Sequence, residues 1–307
     1  MEKGRGENLP PSHMSKAVTD RMVIMAAGVA SRMKRPPKDP TEADRALLRQ
    51  ADERSKGLIG VGQGGRPFLD YLLYNAREAG LHDIVLVVRR NDEAIRNYYG
   101  AKEKGNDFHG LSISYAYQDI PEGRTKPLGT ADAVLVALLA RPDWKGGKFI
   151  VANSDNLYSV KAMKHLLECG ETSALPDYDR DGLEFEASRI AQFGITRKDS
   201  EGYLLEIVEK PGPEALEVLR GPDGCLRVSM NIFLLDYDLV LPYLESCPLS
   251  PVRQEKELVA ALTAMAREHP RSLKAIPWRE HVPDLSTKDD LSAVQAFLKE
   301  NYPELRW

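Results

Sequence analysis

Met22-Val23-Ile24-Met25-Ala26-Ala27-Gly28-Val29-Ala30-Ser31-Arg32-Met33 decides how this chain reads: an apolar run breaks into small residues and ends in Ser and Arg. A run of this length, closed by Gly, fits a buried strand of a parallel sheet. The Ala and Gly side chains behind it are small enough for main-chain N–H groups to close around phosphate oxygens, and Arg32 can add a bidentate contact. Two familiar loops are excluded. There is no G-x-x-x-x-G-K-[ST], and a dinucleotide fingerprint needs three glycines where only Gly28 stands. Strand-to-loop junctions rich in Gly and Ala are common without any ligand, so the rest of the chain has to decide.

The 307 residues suffice for one large α/β domain, or for one domain with a substrate lobe. A formal net charge of −4, with Lys and Arg scattered, leaves no electrostatic footprint for nucleic acid. Cys169, Cys225 and Cys247 stand far apart without a C-x-x-C, which argues against a disulfide framework and a zinc site and fits a reducing cytoplasm. No apolar run approaches a membrane span and no signal-peptide segment opens the chain, so no membrane partner is expected. Whether the chain forms a homo-oligomer stays open.

Residues 1–20, with four Gly or Pro and many charges, read as a flexible extension. Residues 21–307 read as a single domain, doubly wound around a mostly parallel sheet. Lys34 to Ser55 forms a charged, Pro-bearing insertion that turns helical after Thr41, with Asp39 or Thr41 as cap, and could serve as a lid. Pro67 opens a helix closed by Gly80, then Ile84–Val88 is a buried strand and Asp92–Tyr99 a short helix. A third strand through Ile113, Tyr115 and Tyr117 ends at Gln118, whose amide can both donate and accept at the edge of a base. Pro127-Leu128-Gly129-Thr130-Ala131-Asp132 starts the next helix. A fourth strand, Lys148–Ala152, delivers Asn153-Ser154-Asp155, and a carboxylate there is costly unless it holds a cation or caps a turn. Ser159 caps a helix, and beyond residue 170 a hairpin follows, Ile190–Thr196 with Tyr203–Glu209. Val228–Leu235 reads as one strand with Asn231 inside it. Asp284-Leu285-Ser286-Thr287 precedes an amphipathic helix over Lys288–Asn301.

The order of these stretches resembles the sugar-1-phosphate nucleotidylyltransferases over about residues 22–300. The carrying motifs are Ala26-Ala27-Gly28-Val29-Ala30-Ser31-Arg32-Met33, Lys56-Gly57-Leu58, Leu128-Gly129-Thr130-Ala131, Asp155 behind its strand, Phe193-Gly194, Glu209-Lys210-Pro211, Asn231 and Asp284. That resemblance implies a Rossmann-like nucleotidyltransferase fold, with residues 21–160 binding nucleotide and residues 161–307 forming a smaller mixed sugar lobe and a closing helix. It implies Arg32, Lys56 and Asp155 as catalytic groups, with Lys34 or Lys38 as alternatives to Lys56 after an unusually long gap. Ala26, Ala27, Gly28, Gln118, Gly129 and Thr130 would bind nucleotide. Gly194, Glu209, Lys210 and Asn231 would bind the sugar phosphate, and Asp155 with Asp284 would hold Mg2+. The implied substrates are an NTP and a sugar 1-phosphate, most simply UTP and a hexose 1-phosphate. Guanylyl transfer to mannose 1-phosphate and a catalytically silent, nucleotide-sugar-binding relative are the alternatives. Arg32, Asp155 and Asp284 speak against the silent one.

Overall fold

The structure is a computed structural model describing residues 18–38, 45–209, 211, 216, 219–221 and 223–307. Its strands are β1 (Arg21–Met25), β2 (Asp83–Val88), β3 (Asn106–Phe108), β4 (Leu111–Tyr117), β5 (Lys148–Asn153), β6 (Ser173–Asp179), β7 (Ile195–Lys198), β8 (Leu204–Val208), β9 (Arg227–Val228), β10 (Ile232–Asp236) and β11 (Leu273–Trp278). Among the described residues they form one sheet in the order β3-β4-β2-β1-β5-β10-β6-β9-β7-β8, with β11 beside β6. β4, β2, β1 and β5 are parallel neighbours, which is the α/β architecture expected. β10 then enters antiparallel between β5 and β6, and the outer strands β9, β7 and β8 continue antiparallel.

β1 is apolar throughout because both of its faces are covered. Met22 and Ile24 pack into one layer and Val23 into the other, all three without solvent exposure. Helix Phe68–Ala79 begins directly after Pro67 and stops at Gly80, whose left-handed φ of 98° lets its N–H return to the last turn. The Ser159 hydroxyl accepts from the Ala162 N–H at the start of helix Val160–Glu168, as its position predicts. Among the described residues no helix is long and apolar enough to cross a membrane.

Several expectations change. The strand expected over Val228–Leu235 is two, β9 and β10, broken at Asn231, which adopts a left-handed φ of 58°. Asn tolerates that conformation where a β-branched residue does not. The strand expected from Ile190 begins only at Ile195, because Ile190 ends the short helix Ala187–Ile190. The edge hairpin β3–β4 was not foreseen. In the insertion, helix Arg45–Glu53 buries Leu47 and Ala51 in the core, and Asp52 accepts from Lys288 at 2.7 Å. Asp39 and Thr41, the proposed caps, lie outside the described residues. Residues 1–17 of the expected extension also lie outside them. Of its remainder, Thr19 donates its hydroxyl to Lys148 O at 2.7 Å and the Asp20 carbonyl accepts from His82 N–H at 2.8 Å, so both are tied to the sheet. The last helix is preceded by a 3-10 turn, Lys288–Asp290, held by a capping box between Thr287 and Asp290.

Candidate active site

The chain leaves β1 for β2 and β4 on one side and returns to β5 on the other, so the carboxyl ends of β1, β4 and β5 surround a switch point where such sheets take ligands. A cavity of about 370 Å³ opens there, lined by Ala26 to Arg32, Lys56, Gln118, Gly129, Thr130 and Asp155. The loop is fixed at both ends. The Ala26 N–H donates to Val87 O at 2.8 Å, Ala30 takes a left-handed φ of 52°, and Met33 is fully buried, which leaves Arg32 reaching into solvent.

Asp155 and Asp284, 129 positions apart in sequence, are brought together by a short bridge between Asn156 and Asp284. The Leu285 N–H donates to Asp155 O at 2.8 Å and the Leu157 N–H to Pro283 O at 2.9 Å. Each carboxylate meets a cation of the chain. Lys56 Nζ donates to Asp155 Oδ2 at 2.6 Å, and Arg189 Nη2 lies 3.0 Å from Asp284 Oδ2. Burial pushes the Asp155 carboxyl up, but the Lys56 ammonium and, more remotely, Arg32 outweigh it and hold it below the usual carboxylate range. Asp284 goes the other way, raised by burial and then by the charge of Asp155, with Arg189 opposing. Its Oδ1 is buried with no hydrogen-bond partner among the described residues. No cluster of three or more His, Cys, Asp or Glu suited to a metal occurs among the described residues. Two adjacent carboxylates with a free oxygen suit a cation such as Mg2+, which takes few protein ligands and fills its shell with water and phosphate oxygens.

At the other end of this cavity Gln118 is buried, and its Nε2 donates to Gly129 O at 2.7 Å and to Asp132 Oδ2 at 2.9 Å. Gly129 has φ 117°, and a Cβ there would stand 2.5 Å from Lys256 O, so only glycine fits. The Thr130 hydroxyl accepts from the Leu258 N–H at 2.8 Å, which ties this helix start to helix Leu258–Glu268.

A second cavity, about 750 Å³, shares Ser31, Arg32, Asn153, Asp155 and Glu255 with the first. Gly194, Glu209, Asn231 and Asp284 line it. A Cβ at Gly194 would lie 2.6 Å from the Ile207 side chain. Lys210 lies outside the described residues. Lys34 and Lys38 line neither cavity, and the Lys38 ammonium is exposed 3.9 Å from Glu186. Sequence reasoning missed Arg189, which also bonds Asp290, and Arg253, which pairs with Glu209 at 3.2 Å. It missed Glu255 as well, the partner of Lys126 and a wall of both cavities. Arg189 stands just before the expected strand Ile190–Thr196, in a stretch that carries no motif, and the other two sit in a polar loop with no motif.

A family model for nucleotidyl transferases matches residues 51–301. The small subunit of the chloroplastic/amyloplastic glucose-1-phosphate adenylyltransferase of Triticum aestivum is 25% identical over 171 residues, 54% of this chain; the chain matches only 36% of that protein's length. A UDP-glucose pyrophosphorylase structure from Acinetobacter baumanii superposes with a TM-score of 0.65 at 18% identity, over 93% of this chain and 95% of that one. A Bacillus anthracis protein assigned as a glucose-1-phosphate thymidylyltransferase gives a TM-score of 0.61 at 17% identity, over 94% and 96%. At such identities the two structures establish a shared fold. The family match, running through most of the sheet and both candidate carboxylates, carries the classification: this chain belongs to the nucleotidyl transferase family.

Proposed function

We propose that the chain transfers a nucleoside monophosphate, by preference uridylyl, from an NTP to a hexose 1-phosphate, giving an NDP-sugar and pyrophosphate. The observation that carries this reading is that two cavities meet on Arg32, Asn153 and Asp155, so two anionic ligands can be held end to end. The loop N–H groups, Arg32 and Lys56 bind the triphosphate in the first cavity. Glu209 and Asn231 meet the sugar hydroxyls in the second, and Lys210, the residue after Glu209 in sequence, is the proposed partner of the sugar phosphate. A phosphate oxygen of the sugar attacks the α-phosphorus in line; that O–P bond forms as the bond to the β-phosphate bridging oxygen breaks, and pyrophosphate leaves with the electron pair. The nucleophile is already an anion, so no side chain has to take a proton. Lys56 and Arg32 stay with the leaving pyrophosphate, where charge develops. Asp155 and Asp284 would hold a Mg2+ ion, which would supply charge neutralisation for the phosphate oxygens.

The wheat relative is named an adenylyltransferase, so ATP belongs beside UTP, dTTP, GTP and CTP in any test. Pyrophosphate release measured for each NTP against hexose 1-phosphates decides the matter. Release with UTP and a hexose 1-phosphate is expected, and silence with every pair overturns the reading.

A further inference from the structure

The structure assigns Arg189 a positioning role at the two candidate carboxylates. It is a built-in counter-cation for Asp284, so the pair is charge-balanced by the chain itself and takes a divalent cation together with a nucleoside triphosphate, not ahead of it. This rests on Asp155 and Asp284 being the carboxylates that hold the metal in the proposed reaction.

Arg189 stands on the short helix Ala187–Ile190, and its guanidinium is held from several sides. Nη2 lies 3.0 Å from Asp284 Oδ2, Nη1 donates to Asp290 Oδ1, and Cζ sits over the Phe185 ring, 4.6 Å from its centroid. Asp290 is itself anchored, because its Oδ2 accepts from the Ser286 N–H at 2.9 Å and the Thr287 N–H at 2.6 Å at the start of the last helix. A planar guanidinium stacked on a ring and bonded to an anchored carboxylate has little freedom left to lose on meeting Asp284. Arg189 is therefore a fixed charge, and with its side chain only 25% exposed the pair is screened less than a surface pair. With Oδ2 engaged, Oδ1 is the Asp284 oxygen left without a hydrogen-bond partner among the described residues, and it is the atom open to a cation. Lys56 balances Asp155 as Arg189 balances Asp284. A bare divalent cation would add positive charge to a balanced cluster and meet the guanidinium at close range, which opposes it. A cation carried on a triphosphate brings negative charge with it and completes its shell from the phosphate oxygens.

Mn2+, which shares the oxygen ligands of Mg2+, is the probe. Its binding is read by electron paramagnetic resonance, and folding stability by urea denaturation with and without it, for wild type, Arg189→Met, Arg189→Lys and the double variant Arg189→Met/Asp284→Asn. Wild type should bind Mn2+ weakly alone, and its stability should not respond to the ion. Adding UTP, dTTP, GTP, ATP or CTP in turn should tighten Mn2+ retention on the protein by at least about tenfold for one or more of them, the scale set by a unit of charge acting on a divalent ion at close range. Arg189→Met leaves Asp284 beside Asp155 without its cation, so Mn2+ alone should bind at least about tenfold more tightly than to wild type and recover stability that the substitution removes. Arg189→Lys keeps the charge and should bind Mn2+ as weakly as wild type, and the double variant should lose the gain, which locates the ion at Asp284. A merely structural Arg189 would give a less stable variant on which Mn2+ has no effect, and that overturns the inference; so does a gain that survives in the double variant. Tight Mn2+ binding by wild type without nucleotide, or no tightening with any of the five, overturns it without any variant having to fold. The expected Mn2+ pattern without pyrophosphate release for any NTP and hexose 1-phosphate would leave this role of Arg189 standing and remove the proposed reaction instead.

Discussion

The Lys56 ammonium lies 2.6 Å from Asp155 Oδ2, so the carboxylate at the end of β5 is neutralised by the same lysine that faces the first cavity. On the proposed function, a triphosphate entering that cavity would meet a lysine already oriented by a fixed anion. Lys56→Met should weaken NTP binding by about 1.5–3 kcal/mol, the worth of a charge-assisted contact, as calorimetry will show.

Lys56→Met should also lower folding stability in the absence of ligand, because Asp155 is left without its nearest cation. The loss is expected at up to about 3 kcal/mol, the low end for breaking a buried pair, since both side chains keep some exposure. The sign with pH follows from the depressed Asp155 carboxyl. Its stabilising contribution is present above the unfolded carboxylate value and is lost as pH falls through the lower folded value. The gap between wild type and Lys56→Met should therefore shrink in acid. Urea denaturation at neutral pH and near pH 3 checks it, and a gap that widens in acid contradicts the pairing.

Asp155→Ala and Asp284→Ala should each cut turnover by at least about two orders of magnitude, the scale of losing a major electrostatic stabiliser. Chelation of divalent cations should abolish pyrophosphate release from the wild type. If Asp284→Ala turns over at the wild-type rate, the Asn156–Asp284 bridge is purely structural.

Lys210→Ala and Arg32→Ala should separate the two ligands. Lys210→Ala should weaken sugar 1-phosphate by about 1.5–3 kcal/mol and leave NTP binding nearly unchanged, while Arg32→Ala should weaken NTP. Titration of each ligand against both variants is the measurement. Equal loss of NTP affinity in the two would show that Lys210 serves the triphosphate.

Asp70 gives a second pH signature away from the site. It has no solvent exposure, accepts from the Tyr99 and Tyr98 hydroxyls at 2.9 and 3.0 Å, and has its carboxyl raised by burial against those bonds. A raised carboxyl favours the folded state below the unfolded value and gives that advantage up as pH rises through the folded one. Asp70→Asn removes this slope. The stability difference, wild type minus variant, should therefore fall between about pH 4 and neutrality in paired denaturation curves.

Much of this protein is local enough to be read directly. The apolar run of β1, the glycine that ends helix Phe68–Ala79 and the Ser159 cap each follow from a few neighbouring residues, because helix and strand period, capping and turn chemistry act over a handful of positions. The order of the motifs carried the family for the same reason: each is a contiguous stretch. Tertiary structure alone decided what depends on residues far apart. It inserted β10 antiparallel beside β5, and it broke the expected strand at Asn231. It brought Arg189 onto Asp284 across 95 positions of sequence. The rotation of Gln118 belongs to the same class, since it is set by a carbonyl and a carboxylate 11 and 14 residues away. An isolated amide has two faces of nearly equal energy, and only the charges that folding places around it can choose between them.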